Sequence, residues 1–146
     1  MAINKNELRF GNYLLYQGIY IVSVDSIGNY GFTCNGDEVH PPDNFDVEPI
    51  ILTGDLIRKF GFKRYAENKY LIGHQDFTYH LTHRSLNGFK DGGYFMGIRY
   101  DDWDYDPNQV FTFEASEGNI MWVHQLQNLY FALTGIELVL SAREKV

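Results

Sequence analysis

Between residues 7 and 34 apolar side chains fall at alternate positions. Leu8, Phe10, Leu14 and Tyr16 take even positions around Gly11-Asn12, and apolar runs at 19–24 and 30–34 follow Gln17-Gly18 and Ser26-Ile27-Gly28-Asn29. A period of two places one set of side chains on a single face of a strand. Glycine supplies the positive φ that tight turns need. The pattern predicts a three-stranded meander, analogous at the level of fold to the opening of an SH3-like barrel. Residues 35–49 are predicted as a loop, opened by Asn35-Gly36 and punctuated by Pro41-Pro42-Asp43-Asn44 and Pro49.

At 53–60 the spacing becomes helical. Thr53 is the predicted N-cap, with Leu52 and Ile57 at the positions of a hydrophobic staple. Asp55 in the first turn and Arg58 and Lys59 in the last suit the helix dipole, and Gly61 suits the left-handed position beyond the end. The expected buried face is Leu56, Ile57 and Phe60. Residues 68–114 return to alternation, with strands expected at 70–72, 77–83, 94–100 and 110–114. Asn87-Gly88 is a hairpin signal, and residues 101–108 form an acidic, aromatic loop. Near the C-terminus a strand is expected at 120–123, a helix at 124–134 and a last strand at 136–140. The helix carries Leu126, Leu129, Tyr130 and Leu133 as one stripe, and Gly135 ends it. Together these predict one α+β domain over residues 1–146. Its sheet is mostly antiparallel, with the two helices, 53–60 and 124–134, on one face.

Composition narrows the picture. Of 146 residues 45% are hydrophobic and 21% charged, which excludes a mostly disordered chain. One cysteine, Cys34, excludes an intramolecular disulfide framework and a multi-cysteine metal site. Twelve basic against 19 acidic residues give a net charge of −7, which repels phosphate backbones at long range and disfavours nucleic acid as a partner. The segment 1–7 has no apolar core of the kind a signal peptide needs, and no apolar run approaches the ~20 residues of a membrane span. A cytoplasmic location, with no membrane association, is the expectation.

Three stretches carry a resemblance. They are Glu7-Leu8-Arg9-Phe10-Gly11-Asn12-Tyr13, then Leu52-Thr53 leading to Lys59-Phe60-Gly61-Phe62, and His124-Gln125-Leu126-Gln127-Asn128-Leu129-Tyr130-Phe131-Ala132-Leu133-Thr134-Gly135-Ile136-Glu137-Leu138. Together they resemble a group of short uncharacterised proteins of Bacteroidota genomes, their prophages and phages. The resemblance implies an origin in a phage or mobile element and brings no reaction, cofactor or catalytic residue with it. The usual member has Glu where this chain has Ile136, so an acidic pair after Gly135 is not maintained.

Candidate chemistry is sparse. His74, His80 and His83 lie close in sequence, but on a strand His80 and His83 point to opposite faces, which argues against joint metal ligation. Asp102, Asp104 and Asp106 alternate like the opening of a calcium loop. Pro107 then stands where the turn needs glycine, and Phe113 where a bidentate glutamate is needed. Asp102, Trp103, Asp104 and Tyr105 are the candidate binding residues, because aromatics on an exposed loop offer rigid contact area. Gln125, Gln127 and Asn128 are either a recognition face or amides bonded to nearby backbone and water. Cys34 has no basic neighbour in sequence and reads as a structural thiol. No phosphate-binding loop or nucleophile elbow is present, and Gly88, Gly92, Gly93 and Gly97 lead into a strand rather than a helix, so no cofactor is expected. The expected function is a non-catalytic binding or accessory protein acting through a protein partner or self-association. The alternatives are a metal-assisted hydrolase using His80 or His83 with the carboxylates of 101–106, a binder that sequesters a small molecule or nucleotide, and a nucleic-acid binder that clusters Arg9, Lys63, Arg64 and Lys69.

Overall fold

The computed structural model describes residues 5–28, 31–36, 46–83, 93–100, 113–114 and 119–140. The chain divides into two units, one of Met1–Ile51 with Trp122–Val139, the other of Leu52–Met121 with Leu140–Val146. Among the described residues every strand pairing is antiparallel, and with two α-helices the fold is α+β. The strands form two sheets rather than the single one expected. No described helix is long and apolar enough to cross a membrane.

In the first unit, β1 (Tyr13–Tyr16), β2 (Tyr20–Gly28), β3 (Gly31–Asn35) and β4 (Val47–Pro49) lie in the order β3-β2-β1-β4. The β1–β2 turn sits at Gln17-Gly18 as expected. Both residues take positive φ (56° and 69°), and Ile19 N–H closes the turn on the Tyr16 carbonyl at 3.2 Å. Leu8, Leu14, Tyr16, Val22, Val24 and Cys34 make one buried cluster.

Two boundaries differ from the sequence reading. Ser26, Ile27 and Gly28 continue β2 instead of turning, because Ile27 packs against the core and Ser26 bonds Thr33 across the strands at 2.6 Å. Within the expected loop 35–49, Val47–Pro49 forms β4, which pairs with β1. Proline is tolerated there because β4 is an edge strand, where a missing N–H costs no interior ladder bond.

The second unit opens with helix α1 (Gly54–Lys59), where Thr53 Oγ1 accepts from Leu56 N–H at 3.3 Å as the N-cap. Leu56, Ile57 and Phe60 are buried as expected. Five strands follow: β5 (Lys63–Ala66), β6 (Lys69–His74), β7 (Phe77–His83), β8 (Tyr94–Tyr100) and β9 (Phe113–Glu114), in sequential order. The predicted spans 77–83 and 94–100 agree with β7 and β8. The hairpin signal at Asn87-Gly88 lies outside the described residues. β5 was not foreseen, because all four of its residues are exposed and show no alternation. α1 packs on the face that carries Tyr70 and Ile72: Gly61 approaches Ile72 Cδ1, and Gly54 approaches the Tyr70 ring.

Residues 120–123 are not a strand. Ile120 and Trp122 make isolated bridges, to Tyr94 and Ile51, and Val123 already begins helix α2 (Val123–Thr134). Nor do residues 136–140 pair as a strand. Side chains hold that segment instead, as described below.

Candidate functional site

Two of the stretches that carry the resemblance meet in the first unit. Gln127, in the middle of α2, is fully buried. Its Oε1 accepts from Tyr13 N–H at 2.9 Å, and its Nε2 donates to the carbonyls of Gly11 (3.0 Å) and Leu138 (3.2 Å). Asn128 Nδ2 donates to the Glu7 carbonyl at 2.7 Å, and its Oδ1 accepts from Asn12 Nδ2 at 2.8 Å. Asn12, also buried, accepts from Arg9 N–H at 2.7 Å. Gln125 Oε1 accepts from Trp122 N–H at 3.1 Å and so caps its own helix. These amides are therefore structural. They satisfy backbone groups that no strand partner reaches, which explains why 136–140 needs no ladder.

Arg9 completes the network. Its guanidinium forks onto the Glu137 carboxylate, reaches the Gln127 carbonyl at 3.3 Å and lies 4.1 Å above the Phe131 ring. Bidentate carboxylate recognition and ring stacking are arginine's particular chemistry. One acid, Glu137, is enough for this contact, and Ile136 beside it is 41% exposed. The buried stripe of α2 is rotated from the one expected. Val123, His124, Leu126, Gln127 and Tyr130 are buried, Leu129 is half-buried and Leu133 is exposed. Two polar side chains displace leucines from the core because they have bonds or packing to make there.

His124 lies in the first turn of α2 and is 2% exposed. Among the described residues neither ring nitrogen has a hydrogen-bond partner, and Glu7 Oε2 stands 3.7 Å from Nε2, beyond hydrogen-bond reach. Burial lowers its pKa below the ordinary 6.5, and Glu7 only partly opposes this. The positive end of the helix dipole acts in the same direction as burial. The folded state thus holds a neutral imidazole while the unfolded chain takes up a proton. Stability from this group is present above pH 6.5 and is lost as pH falls from 6.5 through the lowered folded value. In urea titrations wild type should therefore lose stability relative to His124→Gln between about pH 7 and pH 5. Parallel curves for the two proteins over that range would remove His124 as the cause.

The other candidates are scattered. His80 and His83 do face opposite ways: the His80 ring meets Tyr65 edge-on at 5.8 Å, and His83 meets Tyr94 at 4.9 Å. Among the described residues no three His, Cys, Asp or Glu side chains gather to hold a metal. Asp102, Trp103, Asp104 and Tyr105, with the rest of the 101–108 loop, lie outside the described residues. Cys34 is buried, and its thiol pKa is pushed up to about 12, first by burial and then by the Asp25 carboxylate, which keeps it protonated and unreactive at neutral pH.

Charge is unevenly distributed in the second unit. Strands β5 to β8 carry Lys63, Arg64, Lys69 and Arg99 and no acidic residue, in a chain whose other residues include eight bases and 19 acids. Cross-strand partners share a face, and the register runs Lys63–Leu71–His80–Gly97, with Lys69–Thr82–Phe95 and Thr78–Arg99 beside it. This is the face opposite the one α1 covers. Lys63, Lys69 and Tyr65 are exposed on it, Tyr65 by 50%. Tyr65 is the extra residue where the β5–β6 register shifts, and its ring leans over His80. Burial of part of the ring raises the Tyr65 phenol pKa, and the Arg99 charge partly counters this. On the outer strand β9, Glu114 stands opposite Gly97.

Lys63, Arg64 and Lys69 thus share the β5–β6 hairpin, while Arg9 is bound to Glu137 in the other unit. Arg99 was not foreseen as part of the cluster, although its odd position beside Phe95 and Gly97 on 94–100 was a legible signal. No protein-family model, curated protein or solved structure matches the chain.

Proposed function

We propose that the protein is a non-catalytic binding protein, a cytoplasmic accessory factor of a phage or mobile element, that holds its partner on the exposed β5–β6 part of the second-unit sheet. One observation carries this reading: Lys63 and Lys69 stand exposed beside Tyr65 on one face of the β5–β6 hairpin of a chain with net charge −7. Self-repulsion alone would disperse like charges over an acidic surface. Gathering them beside an exposed tyrosine suits a site for an anionic partner. The origin rests on the resemblance. Its first and last stretches are used up in holding the first unit together, so they describe a scaffold and leave the second unit to carry the contact.

The test compares immobilised wild type with Lys63→Glu/Lys69→Glu in host lysate. Stoichiometric material retained by wild type and lost by the variant supports the reading, whether that material is protein, nucleic acid or a further copy of this chain. Equal retention by both proteins, or none by either, overturns it.

A further inference from the structure

We infer that the segment Lys5–Glu7 is a proton-released clasp on α2: at neutral pH it seals His124 from water, and in acid it lifts so that the imidazolium is solvated. Packing alone does not call for histidine at position 124. Leucine would fill the site and leave no polar atom unmet, whereas both ring nitrogens of His124 are buried without a hydrogen bond. Such groups are rare in native folds and point to a property beyond packing. Ionisation near neutral pH is the property histidine brings.

The cover over the imidazole is small. His124 and Asn128 stand one turn apart on the same face of α2, and both meet Glu7. Its Oε2 lies 3.7 Å from His124 Nε2, and its carbonyl accepts from Asn128 Nδ2 at 2.7 Å. Glu7 belongs to a single 3-10 turn, and its side chain is 59% exposed. The groups around it are held more firmly. Gln127 is buried with three hydrogen bonds, Leu8 sits in the core cluster, and Asn12 is buried with bonds to Arg9 and Asn128. An exposed single turn opens at lower cost than such groups, so residues 5–7 are the part that yields.

Charge decides the direction. Among the described residues Glu7 is the charged group that acts on the imidazole. α2 carries no other charged side chain, β1 offers only the neutral phenols of Tyr13 and Tyr16, and Arg9 and Glu137 are engaged with each other. A proton on His124 therefore meets burial and the positive end of the α2 dipole, with one solvated carboxylate beyond hydrogen-bond reach to offset them. Lifting Lys5–Glu7 admits water to the ring and removes the burial. The Asn128–Glu7 bond is lost in exchange, and water takes over both partners. Proton binding and opening are thus linked, and each favours the other.

The test uses the full chain and endoproteinase Glu-C, which cuts after glutamate, between about pH 7.5 and pH 5. Cleavage after Glu7 is followed by mass, and each rate is divided by that of a free peptide of the same sequence. Opening takes up one proton, so the corrected rate should rise by up to about tenfold for each pH unit below 6.5, until the lowered folded-state value is reached. His124→Gln should abolish the rise. In NMR titrations of wild type the His124 imidazole and the Asn128 side-chain amide should shift with one common midpoint. Glu7→Gln should move that midpoint to lower pH, because the carboxylate favours the cation. A flat corrected rate at Glu7 overturns the inference, as does a rise that His124→Gln retains. An equal rise in cleavage after Glu137, in the same unit, also overturns it, because acid would then be unfolding the whole unit. The comparison of Glu7 with Glu137 is made within wild type and holds whether or not the glutamine variant folds.

Discussion

Gln127→Ala should lower the stability of the first unit by about 4 kcal/mol, a large fraction of a typical domain's total. The substitution strips partners from three buried backbone groups: the Tyr13 N–H and the Gly11 and Leu138 carbonyls. Each unsatisfied group costs about 1–3 kcal/mol, and the vacated volume adds a cavity term. For a chain of this length that corresponds to a fall in Tm of roughly 10–15 °C, read by circular dichroism. Gln127→Leu separates the two contributions. Leucine fills most of the volume but makes none of the bonds, so its melting point should stay near that of the alanine variant. A leucine variant as stable as wild type would show that packing, and not hydrogen bonding, holds this site.

The second large effect is expected at Gly93, where the chain enters β8. Its φ is +67°, and an added Cβ would lie 2.9 Å from Asn119 Cβ, 3.0 Å from the Ile120 carbonyl oxygen and 3.2 Å from Met121 Cγ. The Ile120 carbonyl cannot swing away cheaply, because it accepts from Tyr94 N–H at 2.9 Å, while Ile120 N–H donates back to Tyr94 O. Gly93→Ala should therefore cost about 3 kcal/mol, combining left-handed backbone strain with overpacking. Gly18 is a built-in control. Its φ is +69°, but a Cβ there meets nothing within 4 Å. Gly18→Ala should cost only the backbone part, about 1 kcal/mol. The difference between the two melting shifts measures the contact at Gly93, and equal shifts would contradict it.

The elements that were legible in sequence are those specified by neighbours in the chain. Thr53 caps α1 as its position implied, and β7 and β8 occupy the spans their alternation marked. The misreadings share one cause. β4 was hidden by Pro49, whose tolerance depends on lying at a sheet edge. β5 was hidden because an edge strand with every residue exposed leaves no periodic trace. The apolar spacing of α2 pointed to Leu129 and Leu133, yet Gln127 and His124 are the buried residues. No hydropathy pattern marks a glutamine whose three partners come from Gly11, Tyr13 and Leu138. The face with Lys63 and Lys69 was partly visible, since both stood out in sequence, whereas Arg64 between them pairs with Tyr70 on the other face. Arg99 joins them only through the register of β6, β7 and β8.

By itself, then, the order of residues determined the α+β class, the antiparallel habit of the strands and the placement of both helices. Periodicity, turn glycines and caps act over a few residues, and those distances are fixed by the covalent chain. Tertiary structure alone decided that the strands divide between two sheets, that polar side chains take the place of a partner strand for 136–140, and which cations share a face. Each of these depends on free energies between groups far apart in the chain, such as Arg9 and Glu137, 128 residues apart, and only the folded backbone brings such groups together.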